Sequence, residues 1–222
     1  MFHLTGLLEF IESKYRMIIS HKHKFIFFAI PKTGTHSVRH ALREHMGPDD
    51  IEQVGLFVQK RFSFPELKDF TSGHVSVNQI RPVLGEKIFN DYFKFAFVRN
   101  PFDRFVSYCS FMSRDTGAFA AQPKEFMKYI LTQLKPNDHL LYKSQYEFIV
   151  DQNEKLAVDY VGRNESMQDS YNQVCVKLDI PASELGTVNS SRHRPYMEYY
   201  DDEIHSLVSN VYSKDIDMFG YR

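Results

Sequence analysis

The sequence predicts an α/β fold of three layers, a central parallel sheet flanked by helices. Two observations carry this reading. Two short apolar runs, "FIFFAI" (25–30) and "FKFAFVR" (93–99), each lead into a proline and then into a stretch with helical spacing. Runs that are apolar at nearly every position mark strands buried on both faces. Strands that alternate with helices need crossover connections, and these lay helices on both faces of a parallel sheet.

The elements follow in order. "MFHLTGLLEFIESKYRMII" (1–19) has interspersed charges and reads as a short amphipathic helix. It has no apolar run long enough to span a bilayer, and neither the basic start nor the small-residue cleavage site of a signal peptide, so a cytoplasmic protein is expected. "FIFFAI" is a buried strand ended by Pro31, and "HSVRHALREHM" (36–46) is a helix closed by Gly47-Pro48. Residues 50–92 are mixed, with a short strand near "IEQVGLFV". After the second strand, "PFDRFVSYCSFM" (101–112) is helical, and Pro101 suits the first turn because its missing N–H is not needed there. "PKEFMKYILTQL" (123–134) and "MQDSYNQVCVKLDI" (167–180) are helical, and "KLAVDYVGR" (155–163) is a third core strand. "DEIHSLVSNVYSKDIDMFGY" (202–221) sets Ile204, Leu207, Val208 and Val211 at the spacing of a packed terminal helix. There is no repeat, low-complexity run or linker, so residues 1–222 are expected to form a single domain.

Composition excludes several classes. Hydrophobic residues make up 43% of the 222, enough for a sizeable core. A net charge of −1 argues against a globally basic nucleic-acid binder. Cys109 and Cys175 are too few for a disulfide framework or a CxxC metal knuckle, and fit a reducing compartment. His21-x-His23 and His36-x₃-His40 have ligand-compatible spacings but no third ligand nearby, so no metal is expected. Charge is nevertheless uneven. No acidic residue lies between Glu12 and Glu44, an interval that holds Lys14, Arg16, Lys22, Lys24, Lys32, Arg39 and Arg43. That local field favours an anionic ligand, although for any one of these cations a solvated face explains it as well.

The chemistry lies at the two strand ends, because ligands of open α/β sheets sit beyond the carboxyl ends of the strands. In "PKTGTHS" (31–37), one glycine lets backbone N–H groups turn inward, and the following helix start offers unpaired donors. Lys32 adds a full charge, and Thr35 and Ser37 add hydroxyls, which suits a tetrahedral oxyanion. The loop is not a Walker A sequence, since its lysine precedes the glycine. An ordinary strand–helix connection with a Thr or Ser cap fits the same residues. In "VRNPFDRFVS", Arg99 ends the strand and Ser107 lies about two turns into the helix. A buried arginine there needs an anion, or else a salt bridge to Asp103 or Asp91. Arg104 reads as a structural ion-pair former.

Taken together, "PKTGTHS" and "RNPFDRFVS" resemble the two cofactor signatures of sulfotransferases. The resemblance implies a P-loop-like fold that binds 3′-phosphoadenosine 5′-phosphosulfate (PAPS), with adenosine 3′,5′-bisphosphate as product and no metal. It implies that Lys32, Thr33, Gly34, Thr35, His36 and Ser37 hold the 5′-phosphosulfate, and that Arg99 and Ser107 hold the 3′-phosphate. Three further stretches resemble the carbohydrate and 2-O-sulfotransferase branch. "TSGHVSVNQI" (71–80) is similar to its Gly-His-Val segment and implies His74 as catalytic base; histidine suits the task because its pKa lies near neutrality. "YVGRNESMQDSYNQVCVKLDI" is similar to its "GRxE" strand and helix, where Arg163 would be structural and paired with Glu165 or another carboxylate. "VNSSRHRPYMEYYDDEIHSLVSNVYSKDIDMFGY" is similar to its closing loop and terminal helix, which implies Arg192, rather than Arg194, over the nucleotide.

The implied activity is transfer of a sulfonate from PAPS to a hydroxyl acceptor, a carbohydrate or a small molecule, with Lys32 and His74 catalytic. Nucleic acid is not an expected partner, and a homodimer stays open. His36 departs from the family pattern, which often has Ser, Gly or Thr there; it could contact the sulfonate or cap the helix. Residues 48–70 and 113–150, the acceptor region, match nothing. The competing readings are a P-loop-type nucleotide kinase, disfavoured by the missing Walker A sequence and Mg²⁺-binding Asp, and a non-catalytic nucleotide-binding protein on the same scaffold.

Overall fold

The computed structural model describes residues 17–53, 73–186 and 194–222. The strands among these are β1 (Met17–Ser20), β2 (Phe25–Phe28), β3 (Ile51–Gln53), β4 (Phe93–Val98) and β5 (Tyr160–Arg163). They form one sheet in the order β3-β1-β2-β4-β5. β2–β4 and β4–β5 are parallel pairs, whereas β1 pairs antiparallel with both β2 and β3. The parallel centre expected from the sequence is present, with an antiparallel edge added to it.

That edge starts where the sequence suggests a helix. Met17–Ser20 are 0% exposed and turn back at once through His21–Lys24 into β2, so tight pairing with β2 overrides the weak helical pattern. Residues 1–16 of the expected helix lie outside the described residues, as do 54–58 of the "IEQVGLFV" strand. Asp50 clasps the hairpin turn. It accepts from the Ser20 hydroxyl (2.6 Å) and from the N–H groups of His21 (2.7 Å), Lys22 (3.1 Å) and Gly47 (2.9 Å).

The helices are α1 (Thr35–Arg43), α2 (Val77–Asp91), α3 (Pro101–Met112), α4 (Ala118–Ala121), α5 (Pro123–Tyr129), α6 (Met167–Leu178), α7 (Asp202–Val211) and α8 (Ser213–Phe219). Residue parity builds the three layers. Phe25, Phe27, Phe95 and Phe97 pack against Val38 and Leu42 of α1 and Tyr171 and Val174 of α6. Ile26, Phe28, Ala96 and Val98 face the other way, onto Val77, Ile80, Leu84 and Phe89 of α2. A third cluster gathers α3, α4, α5 and α7 around Phe105, Tyr108, Met127 and Val208.

Some boundaries differ from expectation. α1 ends at Arg43 rather than 46, the third strand occupies only 160–163 of 155–163, and α5 gives way to a π turn at Ile130–Leu134. The terminal segment is two helices, split where Tyr212 takes φ −111, ψ 25. α2 falls in the stretch read as mixed, where Pro82 and Gly85 interrupt the helical pattern. Gly85 does break it: its φ 77, ψ 157 is open to glycine alone. A capping box of Ser76 and Gln79 starts the helix all the same.

Candidate active site

Three parallel strands deliver three loops to one edge of the sheet, after β2, β4 and β5. The loop after β2 is held by its carbonyls. Arg104 Nε donates to Pro31 O (3.0 Å), Arg99 Nη1 to Lys32 O (3.4 Å), and Asn164 Nδ2 to Thr33 O (3.2 Å). These donors come from α3, from the residue after β4 and from the residue after β5. In a trans peptide the N–H points opposite the C=O of the preceding residue. Tethering three successive carbonyls therefore turns the N–H groups of Lys32, Thr33 and Gly34 away from the tethering side chains. Lys32 (φ 66) and Gly34 (φ 76) are left-handed, the kind of backbone from which N–H concavities suited to anions are built. α1 begins directly after, adding the N–H donors of its first turn and its positive end.

Gly34 is required on two counts. Its φ is unfavourable for an L side chain, and a Cβ there would lie 2.3 Å from Met167 Cε and 2.6 Å from Asn164 Nδ2. Thr33 is fully buried and donates its hydroxyl to Ile30 O (3.1 Å), so toward a ligand it presents backbone and not side chain. Thr35 is buried at the first position of α1. Ser37, expected as a hydroxyl donor to the ligand, donates to Gly186 O (2.8 Å), which ties Gly186 to α1.

The open role of His36 gains a physical basis. Arg39 Nη2 lies 3.3 Å from His36 Nδ1. A guanidinium only donates, so Nδ1 accepts and the neutral ring carries its proton on Nε2. Arg39 is anchored in turn by buried Glu52 (Nε–Oε1 3.0 Å), which also takes Arg43 through both oxygens at 2.9 and 2.8 Å.

One face of α3 links the two expected phosphate sites. Asp103, Ser107 and Phe111 are spaced four apart and stack along the helix. Arg99 Nε pairs with Asp103 at 2.7 Å, the salt bridge that the sequence offered as one alternative. Lys32 Nζ sits over the Phe111 ring, 4.3 Å from its centroid. Ser107, 4% exposed, lies between these two contacts. Arg99, Ser107 and Lys32 are thus brought to one side of one helix, about 12 Å apart end to end at 1.5 Å per residue.

His74 comes to the same strand end. It is 5% exposed, its Nδ1–H donates to the carbonyl of Ala29 just after β2, and its ring packs edge-on to Phe148. A carbonyl only accepts, so the proton is on Nδ1 and the neutral ring has its lone pair on Nε2, the tautomer a general base needs.

Other expectations are corrected. Arg104, 1% exposed, meets carbonyls rather than a paired carboxylate: Pro31 O, Leu141 O (3.2 Å) and Lys143 O (2.6 Å), with the Tyr212 ring 5.6 Å away. Arg163 donates to the Phe219 carbonyl and stacks on Tyr221, while Glu165 instead accepts from Asn100 N–H and the Tyr221 hydroxyl. Arg194 forms an exposed pair with Glu198 at 3.7 Å, and Arg192 lies outside the described residues. Sequence reasoning missed Asn164, Phe111 and Gln145. Asn164 had a signal, since it follows its strand as Lys32 and Arg99 follow theirs. Phe111 and Gln145 had none. Among the described residues, no group of three His, Cys, Asp or Glu side chains could hold a metal ion, and no helix is long and apolar enough to cross a membrane.

No curated protein and no solved structure matches the chain. The family model described as "Sulfotransferase family" matches residues 15–222, a span that includes all three loops of the site. A match over nearly the whole length shows that this chain belongs to the sulfotransferase family.

Proposed function

We propose that the chain transfers a sulfonate from PAPS to a carbohydrate hydroxyl, with Lys32 and His74 as the catalytic pair. The observation that supports this best is the triple tether on Pro31, Lys32 and Thr33, which turns a run of N–H groups outward beside a helix start. Such a cradle fits a phosphosulfate with no metal to share its charge. When bound, PAPS supplies a sulfonate activated by its linkage to the 5′-phosphate. Backbone N–H groups of residues 32–37 hold the 5′-phosphosulfate, with His36 Nε2–H as an added neutral donor. Arg99 and Ser107 hold the 3′-phosphate; a guanidinium has five donors, so the pair with Asp103 does not exhaust it. Arg192 contributes over the nucleotide.

His74 Nε2 takes the proton of the acceptor hydroxyl as that oxygen bonds sulfur. Lys32 offsets the charge left on the 5′-phosphate oxygen as its bond to sulfur breaks. As in phosphoryl transfer, most of the rate comes from positioning and charge stabilisation. The carbohydrate class rests on the likeness of "TSGHVSVNQI" and "YVGRNESM" to that branch. The test is transfer of labelled sulfonate from PAPS to a panel of glycans and small alcohols. His74→Ala is expected to lower turnover by about 10²–10⁴-fold, the range for loss of a general base, with bisphosphate affinity within about twofold of wild type. Near-normal turnover in His74→Ala would remove it as the base.

A further inference from the structure

Arg99, the first residue after β4, is held by a side chain that no motif predicts. Gln145 is 0% exposed, and its amide reads both main-chain groups of Arg99: Arg99 N–H donates to Oε1 (2.8 Å), and Nε2 donates to Arg99 O (2.9 Å). This is the pairing a neighbouring strand would offer, supplied by one side chain just beyond the end of β4. The amide is itself fixed. Asp215 on α8, also 0% exposed, accepts from Gln145 N–H (2.8 Å), Tyr146 N–H (2.9 Å) and Gln145 Nε2 (3.4 Å). The carboxylate decides the orientation of the amide, because a flipped Gln145 would set Oε1 against an acceptor and leave Arg99 O without its donor.

We infer that Gln145, oriented by Asp215, is a positioning residue for recognition of the nucleotide 3′-phosphate, because it fixes the main chain from which the Arg99 guanidinium extends. This rests on the assignment of the 3′-phosphate to Arg99. An arginine offers its donors as a planar fork, so a small rotation of its main chain misaligns them. Two main-chain bonds to a buried amide hold that origin in place.

The test compares affinities of the full chain for adenosine 3′,5′-bisphosphate and adenosine 5′-monophosphate, which differ only in the 3′-phosphate. The wild type is expected to prefer the bisphosphate, and Arg99→Ala to abolish the preference. Wild-type protein that binds both equally overturns the Arg99 assignment and the inference with it. Given the preference, Gln145→Met is expected to cut bisphosphate affinity about tenfold while leaving monophosphate affinity within about twofold. In an Arg99→Ala background the same substitution should have no further effect on the ratio, a coupling that mere loss of stability would not produce. Gln145→Met with an unchanged ratio overturns the inference and leaves the Arg99 assignment standing. Should Gln145→Met not fold, Asp215→Asn decides: a preference reduced severalfold supports the inference, and an unchanged one overturns it.

Discussion

Gly34 shows how much a single residue can be asked to do. Its left-handed φ starts α1, and its missing side chain lets Met167 and Asn164 close on the loop. Gly34→Ala adds backbone strain and pushes Asn164 off the Thr33 carbonyl. The expected cost is about 2–3 kcal/mol, a fall in Tm on the order of 5–10 °C for a chain of this size. Calorimetry checks it. Adding Met167→Ala should recover only part of the loss, since it relieves one contact and neither the strain nor the Asn164 clash; full recovery would mean that crowding by Met167 was the whole effect. Lys32, Arg99 and Ser107 were legible in the sequence because strand ends and spacing mark them. Gln145 was not, because its role is a long-range pairing between a loop and a strand end 46 residues away.

At the scale of elements, the buried runs declared themselves and the short edge did not. β2, β4 and α3 follow from continuous apolar runs and Pro101, whereas β1 exists only through its pairing. What secures that hairpin is the Asp50 clasp, and its energetics depend on pH. Partial burial alone would raise the Asp50 carboxyl, but the Ser20 hydroxyl and the N–H groups of Gly47, Lys22 and His21 outweigh it and hold it below its ordinary value. A depressed carboxyl stabilises the fold above its unfolded pKa, and that contribution disappears as pH falls through the folded value. Asp50→Asn is therefore expected to be less stable than wild type at pH 7 by about 1–2 kcal/mol, the worth of charge-assisted hydrogen bonds. The difference should shrink from about pH 4 downward, the ordinary carboxylate range, and vanish once pH lies below the lowered folded value. Denaturant titrations across this range measure it, and a constant gap would show that the clasp acts by shape and not by charge.

On the scale of the whole molecule, the site joins segments far apart in sequence. Arg104 ties Pro31 to Leu141 and Lys143, Asn164 ties Thr33 to the loop after β5, and Asp215 ties the C-terminal helix to Gln145 and so to Arg99. Unfolding of any of these regions breaks the cradle, so a ligand that binds only the intact cradle should stabilise the chain globally. At a hundredfold excess over Kd, such a ligand adds about 2.7 kcal/mol, or on the order of 5–10 °C in Tm. Adenosine 3′,5′-bisphosphate is expected to produce this shift as one cooperative transition, because under the proposed assignment it would engage the loop after β2 and the face of α3 together. ATP with Mg²⁺ has no 3′-phosphate for the site proposed at Arg99 and Ser107. It should shift Tm by far less. Stabilisation by ATP–Mg²⁺ but not by the bisphosphate would overturn the nucleotide assignment, and a bisphosphate shift confined to one of two separate transitions would show that the tethers do not unite the chain.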